Sequence, residues 1–226
     1  LGMIEAGADT FAGQIPPILK CNSANSLMSD TAGKNQAVTA TVQDALRLGC
    51  AAIGFTIYPG SDMALDMFEE ISEMRAEAAS VGIPTVIWSY PRGEAITKDG
   101  ETAIDIAAYA AQIAALLGAH IIKVKPPMDA ISLDAAKKTY EKHPVEVKHQ
   151  AARIRHVVQA CFNGRRLVVF SGGETGTTEN ILETTRAIHE GGGNGSIIGR
   201  NTFQRPRDEA LAMLDKIVSI YKGEEA

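Results

Sequence analysis

No stretch of this chain is apolar for the roughly 20 residues needed to cross a bilayer, and no secretory signal opens it. Basic residues are not in excess. The 22 lysines and arginines stand against 27 aspartates and glutamates, for a formal net charge of −5. That balance excludes a global field able to recruit nucleic acid or a membrane surface. The three cysteines, Cys21, Cys50 and Cys161, are an odd number at spacings that suit neither a disulfide framework nor a zinc site. No low-complexity linker interrupts the chain, so residues 1–226 read as a single domain. With 45% hydrophobic and 22% charged residues its composition is that of a soluble protein, and the cytoplasm is the expected compartment.

What the chain does have is an alternation of strand and helix signals. Glycines at 49, 82, 118, 164 and 191 each precede an apolar run, at intervals the length of a strand plus a crossover helix. Strands are expected near 8–12, 15–22, 51–58, 84–90, 120–125, 167–171 and 196–199. Between them helices are expected at Val38–Leu48, from Ser61 to Gly82, at Glu101–Leu117, Leu133–Lys142, Lys148–Phe162, Thr178–Glu190 and Arg207–Tyr221. Strands alternating with helices predict a parallel sheet. An open nucleotide-binding sheet would carry its glycine-rich turn after the first strand, whereas here Ser171-Gly172-Gly173 and Gly199-Arg200 follow the last two. That placement favours a (β/α)8 TIM barrel. Seven strands are one short of eight, and the chain opens on Leu1–Gly7, a segment resembling the end of a helix. Strand one is therefore expected upstream of it.

Reacting groups of such barrels lie at the C-terminal ends of the strands. The run His120–Pro127 ends one strand with Lys123 and Lys125 on a shared face. Two solvated lysines at a strand end would account for it. A catalytic amine also would, because burial and a neighbouring cation make a lysine lose its proton more easily, and only the neutral amine attacks a carbonyl. Lowering the pKa from about 10.4 to about 7 takes roughly 4–5 kcal/mol. Trp88 and Tyr90, two apart on the preceding strand, share a face. Trp88 can be a core filler, and the Tyr90 phenol can exchange a proton with substrate. Ser171, Gly172 and Gly173 offer a hydroxyl and backbone N–H groups, and Gly199 and Arg200 add a forked cation. Together they suit a phosphate. Arg92 suits a second phosphate or a solvated loop. Carboxylates are absent from the strand ends, and no histidine has a partner at metal-ligand spacing.

The stretches Gly54–Ser61, Trp88–Gly93, His120–Lys125, Phe170–Gly173 and Gly195–Arg205 resemble the archaeal-type class I fructose-bisphosphate aldolases, found also in bacteria, across essentially the whole chain. The resemblance implies a (β/α)8 barrel and reversible Schiff-base cleavage of fructose 1,6-bisphosphate, with no metal or other cofactor, in a homo-oligomer. It assigns Lys123 as the Schiff-base lysine and Tyr90 as the proton donor, with Trp88 and Lys125 supporting. Ser171, Gly172, Gly173, Gly199 and Arg200 match its phosphate-binding strand ends. The family's Asp-x-Gly motif at the end of strand one has no counterpart in this sequence. Two other functions fit the same residues. One is a related lysine enzyme of transaldolase-like or thiolase-like chemistry on another keto sugar phosphate. The other is a non-catalytic sugar-phosphate-binding subunit.

Overall fold

The computed structural model describes residues 1–27, 33–143, 145–172 and 176–224. The chain divides into two compact units, residues 1–98 with 113–122 and residues 99–112 with 123–226. The principal sheet orders its strands as Ile18–Lys20, Ala52–Ile57, Thr85–Ser89, Ile121–Val124, Leu167–Ser171 and Gly195–Ile197.

The first unit opens with two short helices, α1 (Gly2–Ala6) and α2 (Ala8–Phe11). The strand expected near 8–12 is therefore a helix. The five residues Ala8–Ala12 carry no alternating pattern, and α2 has no buried residue for a strand to present. Instead Ala12 N donates to Ala8 O at 3.0 Å and closes a helical turn. The sheet accordingly has six strands among the described residues, where seven were expected. Its first strand, β1 (Ile18–Lys20), begins only after Pro16 and Pro17, which cannot donate to a ladder.

Two short strands follow, β2 (Asn22–Ser23) and β3 (Ala37–Val38), paired antiparallel beside the main sheet. Helix α3 spans Val42–Arg47 and starts later than periodicity suggested, because Thr41 caps it. The Thr41 hydroxyl accepts from Asp44 N at 3.1 Å while the Asp44 carboxylate accepts from Thr41 N at 3.0 Å. Strand β4 (Ala52–Ile57) is buried at every position, as a central parallel strand should be. It pairs in parallel with β1 on one side and β5 (Thr85–Ser89) on the other. Between β4 and β5 runs α4 (Ala64–Ser80), which buries Ala64, Met67, Ile71 and Ala78 at helical spacing.

Gly54 in β4 permits a specific packing. A methyl group there would overlap the six-membered ring of Trp88. We expect Gly54→Ala to destabilise the protein by about 1–3 kcal/mol through overpacking. Because Trp88 is the sole tryptophan, a shift in its fluorescence should accompany the change. Urea unfolding with an unchanged midpoint would contradict that packing.

Helix α5 (Ile104–Leu116) and strand β6 (Ile121–Val124) each contribute residues to both units. In the second unit, α6 (Asp134–Lys142) and α7 (Gln150–Ala160) precede β7 (Leu167–Ser171), which pairs in parallel with β8 (Gly195–Ile197) across α8 (Thr178–Glu190). A four-residue turn, α9 (Arg200–Phe203), and α10 (Arg207–Lys222) complete the elements. Ile181 and Leu182 of α8 pack with Met213, Ile217 and Ile220 of α10 in an apolar cluster. Among the described residues no helix is long and apolar enough to cross a membrane.

Candidate active-site residues

Lys123 lies on β6 between Ile122 and Val124, which are 0% and 1% exposed, and is itself only 9% exposed. Burial pushes its proton affinity below the ordinary lysine range. Of the two sources of that shift suggested by sequence, desolvation is the one at work. Lys125 is engaged elsewhere, in a 2.6 Å ion pair with Glu101 that leaves both side chains less than a third exposed. Glu101 sits in a single 3-10 turn before α5, 24 residues away in sequence, so no local pattern could have announced it.

The loop after the lysine strand is tied down by its neighbours. Met128 N donates to Thr102 O, and Ile104 N to Ala130 O. Pro127 O accepts from Gln150 and Arg153 on α7, each at 3.1 Å. The buried Asp105 carboxylate accepts from Ser132 N and Leu133 N, each at 2.9 Å. These bonds satisfy backbone groups that two prolines remove from the ladder, and they fix where the strand ends.

Ser171 and Gly172 end β7, and Gly199 and Arg200 follow β8. The register Ser171↔Ile197 and a bond from Gly172 N to Ile197 O bring these two strand ends together. Arg200 is exposed on the first turn of α9. Gly173 lies outside the described residues. The loop is held by two residues that sequence inspection did not single out. Asn201, 4% exposed, donates to Gly172 O at 3.0 Å and accepts from Gly176 N at 3.2 Å. Arg205 donates to Asn201 O, Gly176 O and the Thr178 hydroxyl at 2.7–3.0 Å. Thr177 in turn caps α8 by accepting from Asn180 N.

The first unit carries Trp88, Tyr90 and Arg92. Trp88 is half-buried with its ring over Gly54. Tyr90 follows β5, its N–H donating to Ile57 O at 3.1 Å so that the β4·β5 ladder continues one step past the strand. The exposed Arg92 guanidinium lies 5.2 Å from the centre of the Tyr90 ring, in cation–π range. The same unit holds a polar group at the ends of β1 and β4. Lys20 Nζ donates to Asn22 and Gln36, Gln36 donates to the Tyr58 hydroxyl, and the Asn22 amide both gives to and takes from the Thr56 backbone. Burial lowers the proton affinity of Lys20 as well.

Known proteins share both the sequence and the fold. A class 1 fructose-bisphosphate aldolase from Thermoproteus tenax is 36% identical over 197 residues, covering 86% of this chain and 64% of its own length. Thus the chain spans less than two thirds of that relative. A Halobacterium salinarum protein of the same name is 31% identical over 221 residues, covering 97% of this chain and 72% of its own. The crystal structure of an archaeal fructose 1,6-bisphosphate aldolase superposes with a TM-score of 0.78 at 32% identity, covering 98% of this chain and 76% of that one. A second, with its catalytic lysine covalently bound to the carbinolamine intermediate of the substrate, gives 0.78 at 30% identity, over 97% and 75%. The expected TIM-barrel-like α/β fold class is therefore the observed one. The profile of the DeoC/LacD family aldolases matches residues 1–205, and the chain belongs to that family.

Proposed function

We propose that this chain is a single-domain Schiff-base aldolase that cleaves fructose 1,6-bisphosphate reversibly to dihydroxyacetone phosphate and glyceraldehyde 3-phosphate without a metal. The observation that carries this reading is Lys123, an amine buried at a strand end and made less basic by that burial. A neutral amine adds to the keto carbon, and loss of water leaves an iminium. As the C4 hydroxyl gives up its proton to solvent and the C3–C4 bond breaks, C4 leaves as the aldehyde of glyceraldehyde 3-phosphate and the bonding pair flows to the iminium nitrogen, leaving an enamine. Tyr90 then protonates the enamine carbon, and hydrolysis releases dihydroxyacetone phosphate. Ser171, Gly172, Gly173, Gly199 and Arg200 hold one phosphate and Arg92 the other, so that remote binding energy positions the reacting carbon. Trp88 and Lys125 support the two reacting groups. A homo-oligomer is proposed on the same resemblance, and sedimentation would test it.

The named relatives and the carbinolamine-bearing neighbour favour this substrate over other keto sugar phosphates. Product analysis decides. Fructose 1,6-bisphosphate should yield the two triose phosphates, and turnover of a different keto sugar phosphate in its place would move the assignment to the transaldolase-like alternative.

Neutralising the Lys125–Glu101 pair as Lys125→Met with Glu101→Gln should leave the pH dependence of imine formation in place. Burial, not Lys125, depresses the Lys123 amine in this account. An upward shift of that profile in the double variant would restore the like charge as a cause.

A further inference from the structure

The polar group at the ends of β1 and β4 takes part in none of the steps above. Lys20 Nζ contacts the carbonyl oxygen and Oδ1 of Asn22 and, at 3.1 Å, Gln36 Oε1. An ammonium has three hydrogens and no lone pair, so each of these contacts is a donation by the lysine. Gln36, 4% exposed, must therefore turn its oxygen toward Lys20 and its NH2 away. That NH2 donates to the Tyr58 hydroxyl oxygen at 2.7 Å. Tyr58 is the acceptor in this bond, and its own hydrogen is left to be given elsewhere. Although Tyr58 is only 9% exposed, that hydrogen meets no acceptor among the described residues. A donor so placed has either an absent ligand or a desolvation cost to bear.

The register says where the hydrogen is presented. Lys20 pairs with Gly54 and Thr56 with Trp88, and side chains alternate along each strand. Lys20, Gly54, Tyr58, Trp88 and Tyr90 consequently belong to one face of β1·β4·β5. The bond from Tyr90 N to Ile57 O makes Tyr58 and Tyr90 neighbours at its C-terminal edge. Pro59 and Pro91 stop the two strands at the same level. Two phenols thus stand side by side, and Gln36 fixes the polarity of Tyr58 from behind.

We propose that Tyr58 is a substrate-binding residue, donating a hydrogen bond to a hydroxyl oxygen of the sugar phosphate beside Tyr90, with Lys20 and Gln36 as positioning residues that keep it a donor. The proposal rests on the aldolase reading and adds a specificity contact to it. It favours substrates with a hydroxyl at that point over their deoxy analogues.

Two isosteric variants test it. Tyr58→Phe removes the donor. Gln36→Glu keeps the shape but replaces the NH2 by an acceptor, which receives from both Lys20 and Tyr58 and so turns the phenol hydrogen inward. Each should raise KM for fructose 1,6-bisphosphate about two- to tenfold with little change in kcat, the range for losing one neutral hydrogen bond. Combined, they should do no more than either alone. Borohydride trapping of dihydroxyacetone phosphate at Lys123 should persist in all three. An unchanged KM in Tyr58→Phe, or effects that multiply in the double variant, would overturn the relay while leaving the aldolase standing. A wild-type protein that neither traps nor cleaves would overturn the aldolase reading, and this proposal with it.

Discussion

Lys123→Met should lose aldol cleavage altogether and gain stability at neutral pH. The loss follows from the mechanism, since no other group in the proposed scheme forms the imine. The gain follows from burial. The folded state holds the Lys123 ammonium at a lower proton affinity than the unfolded chain does. Below the depressed folded value, both states carry the charge and the folded one bears the full desolvation cost. As pH rises from that value toward the unfolded value of about 10.4, the folded state sheds its proton first and the cost is progressively relieved. Methionine has a similar length and no charge, so the variant escapes the cost at every pH. Thermal melting at pH 7 should move upward, and the difference from wild type should narrow as the pH approaches 10. A variant that melts lower at pH 7 and keeps measurable cleavage would remove Lys123 from the mechanism.

Tyr90→Phe should separate imine formation from proton transfer. The amine still adds and trapping persists, but the enamine waits for a proton. General acid–base assistance is worth about 10²–10⁴-fold, and turnover should fall by that much. Solvent-deuterium exchange at C3 of dihydroxyacetone phosphate isolates the step, because it needs the enamine and its protonation but no aldehyde. Exchange at the wild-type rate in the phenylalanine variant would remove Tyr90 from the chemistry.

Local signals carried much of the architecture. Helix α8 spans Thr178–Glu190, as its apolar spacing and the glycine run after it predict. Gly49, Gly82, Gly118 and Gly164 all adopt positive φ, between 62° and 87°, where a side chain would be strained, so these pre-strand glycines mark real turns. The burial of Lys123 was legible in the apolar run that holds it, with Ile122 and Val124 on either side. Segments failed where local propensity and tertiary context diverge. Ala8–Phe11 form the short helix α2, with no buried residue, where a strand was expected. Val38 fits a helical stripe, yet the Thr41–Asp44 box starts the helix four residues later.

Side-chain partnerships across long sequence gaps were not legible at all. Glu101 meets Lys125 only because the turn before α5 folds against the loop after β6. Asn201 and Arg205 stitch the Gly172 and Gly176 backbone from 25 or more residues away, with nothing in their own neighbourhood to flag them. The Lys20–Gln36–Tyr58 chain is of the same kind. Its members belong to β1, the segment before β3 and the end of β4, and its polarity exists only once all three are in place.

The most direct test of the whole account is covalent. Reduction with borohydride in the presence of dihydroxyacetone phosphate should leave a stable secondary amine on this protein, and peptide mass mapping should place the adduct on Lys123. An adduct on Lys125 or Lys20 would contradict the assignment of the nucleophile, and no adduct at all would contradict the Schiff-base mechanism.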